Sequence, residues 1–181
     1  KKPERQLLMR QIWVPDNFPI RYSLLSDEIA AFDAGEDVAL KWTTALSRQH
    51  SLQDKAIQGV VAFRVSPDGM LGIVEAAHPD TTLIAIDPFY GDEQWRTTAS
   101  SSLSAFCFGN SCERFAFGTQ DGIVSVMSST GDRIGQELNF GCKIDALHFD
   151  PDDNILHVLV NGADVSCAVV VQDHLEAKAP P

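Results

Sequence analysis

The chain has 181 residues, of which 44% are hydrophobic and 22% are charged, as expected for one ordinary globular domain. Its net charge is −11, and its 14 Lys and Arg residues are scattered, so no face basic enough to bind nucleic acid directly is expected. Apolar runs such as CAVVV at residues 167–171 are much shorter than the roughly 18 to 20 residues of a membrane-spanning helix, so no membrane span is expected.

Residues 1–19 are predicted to be an N-terminal extension. Within it, QLLMRQIWV at residues 6–14, bounded by Pro15 and Pro19, is a candidate strand that adds to a neighbouring sheet or docks on a partner. The alternative is a frayed terminus. The first residues lack the apolar region and cleavage site of a secretory signal, and they lack an initiator Met. We therefore expect a processed or excised piece of a protein.

From Ile20 onward, one pattern of alternating apolar residues around a tight turn recurs. The turn reads SPDG at 66–69, GNSC at 109–112 and DPDD at 150–153. The alanines before it, Ala62, Ala105 and Ala146, follow one another at steps of 43 and 41 in the numbering. Period-two alternation around such turns predicts β-hairpins. An earlier unit, starting with IRYSLLSDEIAAF at 20–32, has the same rhythm with a shorter turn, so four copies are predicted.

An aspartate precedes the second apolar run of each unit. Asp80, Asp121 and Asp164 recur at the same two step lengths, and a step of 43 back from Asp80 reaches Asp37. These residues are candidate metal ligands. They are also typical turn residues, because an aspartate bonds its own backbone and tolerates the left-handed conformation. The turn interpretation is preferred because the aspartates recur at one structural position.

The repeated units resemble the WD-repeat family of β-propellers. The hairpin SPDG and the turn Asp121–Gly122 match the family pattern, and Trp42 stands where the family has Trp-Asp, although Thr43 follows it. Ile86 and Asp87 keep the Asp of that pair without the Trp. The family's Gly-His pair is missing, with Gly141 at the place of its Gly. The resemblance implies an all-β fold, a β-propeller of WD-repeat type, with four blades in residues 20–171.

Four blades imply an incomplete ring, because repeats of this length normally close with about seven; the alternative is that the four blades close on themselves. Residues 172–181 form a polar tail that ends in proline. The end blades would then expose surfaces near residues 22–40 and 155–171, which contain Leu24, Ile29 and Phe32, and Ile155, Val158 and Val160 respectively. Phe108 and Phe149 are expected to be buried between neighbouring blades.

The sequence predicts no catalytic, cofactor-binding or metal site, and no cofactor. The five histidines, His50, His78, His148, His157 and His174, do not have metal-ligand spacing. No Gly-x-Ser-x-Gly elbow or phosphate-binding glycine loop is present. The four cysteines have no CxxC spacing and are interpreted as buried thiols in a reducing compartment, with disulfides or zinc as the alternative. Cytoplasm or nucleus is therefore the expected location.

The function expected from these patterns is a non-catalytic protein–protein interaction scaffold in a multiprotein complex. Its expected partners are other protein chains, or the remainder of the parent propeller, covering the open end blades. The partner-binding residues are not predicted. The alternative is a propeller enzyme of the hydrolase, lyase or quinoprotein kind, with its site in the central channel. That alternative needs convergent polar groups, whereas the inner-strand candidates are mainly Ala, Phe, Val and Leu.

Overall fold

The computed structural model describes residues 11–25, 28–33, 40–43, 58–78 and 80–169. All regular secondary structure in these residues is β-strand. The sequence predictions for residues 1–10, Asp37, His50, His174 and residues 172–181 lie outside the described residues. None of the described residues belongs to a helix long and apolar enough to cross a membrane.

The chain divides into two compact units, residues 1–103 and 104–181. In the first unit, the first sheet has the order β2 (Ile20–Leu25), β3 (Glu28–Asp33), β4 (Leu40–Thr43). The second sheet has the order β1 (Gln11–Trp13), β5 (Gln58–Val65), β6 (Gly72–His78), β7 (Thr82–Ile86), β8 (Glu93–Thr98). Strand β1 runs parallel to β5, with Gln11 opposite Ala62 and Trp13 opposite Arg64.

The core of the first unit lies between its two sheets. Alternate residues of each strand enter it, as period-two alternation predicts. Its buried members are Ile20, Ile29 and Ala31 from the first sheet and Val60, Phe63, Val65, Val74, Ala76, Ile84 and Ile86 from the second. Ile12 of β1 packs against this core, so the N-terminal strand is held by side chains as well as by backbone pairing.

The second unit also contains two sheets. The third sheet has the order β9 (Leu103–Phe108), β10 (Arg114–Thr119), β11 (Ile123–Ser128), β12 (Leu138–Asn139). The fourth sheet has the order β13 (Ala146–Phe149), β14 (Ile155–Val160), β15 (Ala163–Ala168). Their shared core contains Ala116, Val124, Ile144, Leu147, Phe149, Leu156, Val158 and Val160.

The repeated turns have the same backbone geometry in three sheets. The fourth residue of each turn is left-handed, with φ of +75° at Gly69, +60° at Cys112 and +58° at Asp153. Its N–H donates to the carbonyl of the first residue at 2.8, 3.1 and 3.0 Å respectively. These positions recur at the same steps as Ala62, Ala105 and Ala146, which lie in the first strands of their hairpins.

The prediction that Asp164 is a turn residue was wrong. Asp164 lies in β15 opposite Leu159, and the turn before it is formed by Asn161 and Gly162, with φ of +50° and +77°. The repeat step that relates β10 to β14 places Gly162, and not Asp164, at the position of Asp121. Asp164 therefore points from a sheet face instead of closing a turn.

Several predicted exposures were also wrong. Ile29, Val158 and Val160 were expected on open surfaces, but all three are buried between sheets. Phe149 is buried as predicted, whereas Phe108 is only half-buried. The side chains of Leu24 and Phe32 lie outside the described part of the chain. Val158 and Val160 were assigned to the wrong face of their sheet. Neighbouring residues of a strand point to opposite faces, so a shift of one residue exchanges the buried and exposed sets.

Candidate functional site

The fourth sheet has one covered face and one face exposed to solvent. Leu147, Phe149, Leu156, Val158 and Val160 point from the covered face into the core of the second unit. Their strand neighbours point the other way. These neighbours define what we call the open face: Ala146, His148, Ile155, His157, Leu159, Asp164, Ser166 and Ala168. All are exposed except His157, which is half-buried.

The repeat identifies the corresponding face of the third sheet. One repeat step relates Ala146 to Ala105, His148 to Cys107 and Leu159 to Gly118. In the third sheet these small residues, with Ala116, Val124 and Val126, face the large side chains of the fourth sheet. A Cβ built on Gly118 would lie 2.7 Å from the Cβ of Ile144, so this position has no room for a larger residue. The face that is covered in the third sheet is exposed in the fourth.

Leu159 and Ile155 are the large apolar residues of the open face. They are 37% and 38% exposed, whereas Val158, which lies between them in strand β14 and points to the covered face, is fully buried. Single exposed apolar residues are common on soluble proteins. Two of them on a sheet face whose counterpart in the preceding repeat is covered indicate a surface suited to packing against another sheet.

Two histidines lie side by side at the centre of the open face. The rings of His148 and His157 stack with centroids 4.5 Å apart and planes 6° apart. His157 Nδ1 lies 3.2 Å from Ser166 Oγ and 3.6 Å from Asp164 Oδ1. Because serine and aspartate both approach the same ring nitrogen, this group lacks the arrangement of a Ser-His-Asp triad, which uses one nitrogen for each partner.

Among the described residues, the candidate metal ligands Asp80, Asp121 and Asp164 do not form a metal-binding group. No group of three or more His, Cys, Asp or Glu side chains able to hold a metal ion occurs in the described residues. The four cysteines are free thiols. Burial raises the pKa of Cys107 to about 12, against a smaller lowering by a hydrogen bond from the Ala116 backbone. At neutral pH this thiol is therefore a poor nucleophile.

A second polar cluster joins the hairpin turns of the third and fourth sheets. The Asp153 carboxylate accepts hydrogen bonds from the Asn110 N–H at 2.7 Å and side chain at 3.0 Å, and from the Ser111 N–H at 2.8 Å and hydroxyl at 2.7 Å. Arg114 donates to the Asp153 carbonyl. Burial acts to raise the pKa of Asp153, but the bonds from Ser111 and Asn110 outweigh it and lower the pKa. This cluster was not predicted from the sequence. It could have been predicted from the repeat, because Asn and Ser in one turn are followed by Asp at the end of the next.

The second sheet contains a buried ion pair covered by the N-terminal strand. Arg64 lies 3.1 Å from Glu75, and both side chains are buried. The guanidinium of Arg64 lies 4.6 Å from the centre of the Trp13 ring, a cation–π geometry. Burial lowers the pKa of Arg64, and the charge of Glu75 opposes that effect. These contacts give β1 a polar as well as an apolar attachment to the sheet.

No protein-family model matches the sequence, and no curated protein matches it either. Solved structures do share its fold. The chain resembles hydrazine synthase of Kuenenia stuttgartiensis at 13% identity and a TM-score of 0.59, over 82% of this chain and 40% of that one. It resembles the Dos1 propeller at 16% identity and a TM-score of 0.59, over 87% and 40% of the two chains.

The computationally designed Ika8 protein is similar at 17% identity and a TM-score of 0.64, over 87% of this chain and 45% of that one. The chain thus spans less than half of the length of these three structures. Together with the four sheets, these similarities define a β-propeller-like fold. Identities this low carry information about fold alone.

Proposed function

We propose that the chain is a non-catalytic protein–protein interaction scaffold: a partial β-propeller of WD-repeat type that serves as a subunit or segment of a multiprotein complex. Its four sheets would belong to a ring of about seven blades. The observation that carries this proposal is the open face, which presents to solvent the residues that correspond to a covered face in the preceding sheet. This chain covers less than half of each similar structure, as a partial ring would.

The partner proposed for the open face is another sheet with large apolar side chains, from the remainder of the parent propeller or from a second protein. The covered face of the fourth sheet illustrates such a surface, because Phe149 and Leu156 belong to the core against which Ala105 and Cys107 pack. The open face is more polar than its counterpart, with His148 in place of Cys107 and His157 in place of Ala116. Mixed polar and apolar composition is typical of interfaces between separately folded partners.

Three observations support a role without chemistry. Cys107 has a raised pKa, and the Ser166, His157 and Asp164 group lacks triad geometry. Strand β1 pairs along the edge of β5, and we propose that it covers the side of this sheet that would face a central channel, where the enzyme alternative places its site. The free thiols fit a reducing compartment, so we propose the cytoplasm or the nucleus.

The proposal is tested by the mass of residues 1–181 in solution, measured by light scattering over a range of concentrations. We expect species heavier than one chain, because the open face buries its apolar residues by association. The double substitution Ile155→Lys and Leu159→Lys should restore the mass of one chain. Leu138→Lys is the matched control, because Leu138 is also 37% exposed but lies in β12, off the open face. A stable unmodified monomer at micromolar concentration would contradict the proposal.

A further inference from the structure

Three turns leave the second sheet at the same end. Strand β1 is parallel to β5, and β5 and β7 are both antiparallel to β6, so residues 14–19, 66–71 and 87–92 lie together. Phe18 connects them. A Cβ built on Gly69 would lie 2.6 Å from the Phe18 ring, and the rings of Phe18 and Phe89 have centroids 5.3 Å apart. We call these three turns, with Trp13 beside them, the turn-end surface.

Large apolar side chains on the turn-end surface are exposed to solvent. Tyr90 is 74% exposed and Met70 is 68% exposed, which makes them the two most exposed large hydrophobic residues among those whose side chains are described. Trp13 and Val14 are also exposed, at 44% and 40%. Aromatic residues and methionine are enriched at protein interfaces, and their energy is concentrated in a few such side chains.

The backbone that carries these side chains is held by local hydrogen bonds. Asp87 Oδ1 accepts the N–H groups of Phe89 at 2.7 Å and Tyr90 at 3.1 Å. The Tyr22 hydroxyl donates to the Pro88 carbonyl at 2.8 Å. In the neighbouring turn, Asp68 accepts the N–H of Met70 at 3.1 Å. A surface fixed in this way loses little conformational entropy when a ligand binds.

The charge of the turn-end surface has one sign. Its three turns contain Asp16, Asp68, Asp87 and Asp92, and no Lys or Arg. The chain as a whole also carries a net charge of −11. Carboxylates around exposed apolar residues attract a partner in which cationic and apolar side chains are combined, and they repel an acidic one.

We propose that the turn-end surface is a docking site for a segment of a partner protein that combines Lys or Arg residues with large apolar residues. The apolar residues would pack against Met70 and Tyr90, and the cationic groups would pair with the surrounding carboxylates. This site is separate from the open face and does not depend on the function proposed for it.

The test is a selection of short random peptides, displayed on phage, against the full chain. We expect the enriched peptides to contain both basic and large apolar residues, and their affinity to fall as salt concentration rises. The double variant Met70→Ser and Tyr90→Ser should lower the affinity of an enriched peptide by about tenfold or more. Leu138→Ser, which removes an exposed apolar side chain in the other unit, should leave it unchanged.

A second variant tests the charge. Asp16→Asn together with Asp92→Asn should weaken binding and reduce its salt dependence, while thermal unfolding shows that the fold is retained. Absence of enrichment, enrichment of acidic peptides, or binding that survives Met70→Ser and Tyr90→Ser would overturn the proposal. Peptide binding that is lost only in Leu159→Lys would also overturn the proposal, because it would place the site on the open face. So would an oligomer that Met70→Ser and Tyr90→Ser abolish, because a second copy of the chain would then be the occupant.

Discussion

The Asp153 carboxylate shows how one residue can serve two purposes at a repeated turn. The position requires a left-handed backbone, which Gly69 meets in the second sheet by having no side chain. Asp153 adopts the same conformation and also accepts four hydrogen bonds from Asn110 and Ser111 in the adjacent turn. A carboxylate is an effective acceptor here because hydrogen bonds to a charged group are stronger than those between neutral groups.

We expect Asp153→Asn to lower the free energy of unfolding by about 1 to 3 kcal/mol at neutral pH, because the amide nitrogen cannot accept the bonds that the lost oxygen accepted. The measurement is urea unfolding, and Asp152→Asn is the matched control, since Asp152 is exposed in the same turn. Equal effects of the two substitutions would show that the bonds to Asp153 contribute nothing specific.

The contribution of the Asp153 carboxylate to the free energy of unfolding should depend on pH. The pKa of Asp153 is lower in the folded chain than the value of about 3.9 in an unfolded one, so its stabilisation is complete above that value. It is lost as the pH falls through the folded pKa. The stability difference between the wild-type chain and Asp153→Asn should therefore shrink in acid. A difference that stays constant into strong acid would contradict the assigned pKa direction.

At the scale of elements, the sheets of the second unit pack by size complementarity. The fourth sheet contributes large residues such as Phe149 and Leu156, and the third contributes small ones such as Ala116 and Gly118. Phe108 lies on the opposite face of the third sheet, in an aromatic cluster with Phe106 and Phe115. The two aligned phenylalanines therefore have different degrees of burial, although the repeat makes them equivalent.

We expect Phe149→Ala to cost about 3 to 5 kcal/mol of unfolding free energy, the usual cost of emptying a buried aromatic position. Phe108→Ala should cost clearly less, because its half-exposed ring loses less contact. Chemical unfolding of both variants measures the difference. If Phe108→Ala proved the more damaging, the Phe108 ring would have to be buried by contacts in addition to those with Phe106 and Phe115.

The strands and turns were predictable because they depend on local chemistry. Alternation around Phe63 and Val65 predicts a half-buried strand, and SPDG predicts the turn that Gly69 closes. The pairing of β1 with β5 was not specified by local sequence, since a segment as short as Gln11–Trp13 can add to many strand edges. The open face was predicted in the right region through Ile155, but Val158 and Val160 were assigned to the wrong side, because only the position of the neighbouring sheet decides which face is buried.

At the scale of the whole molecule, the candidate interaction surfaces occur in separate units. The turn-end surface belongs to the first unit and the open face to the second. Among residues whose side chains are described, the exposed large hydrophobic ones occur in both units: Trp13, Val14, Met70 and Tyr90 in the first, and Leu138, Ile155, Leu159 and Val165 in the second. The two proposed surfaces can therefore be tested separately, and variants of one surface should leave binding at the other unchanged.

Because the sheets of the second unit pack by size complementarity, association through the open face should have a direction. In the second unit, a face of small residues on the third sheet packs against a face of large residues on the fourth, so packing from sheet to sheet joins unlike faces. Copies that continue this packing through the open face would place it against a different surface of the next copy, a heterologous contact without two-fold symmetry. Such contacts do not stop at a dimer unless the rotation between copies closes a ring. Self-association of the isolated chain should consequently give a ladder of masses, and a partner that covers the open face should end that growth at its first step.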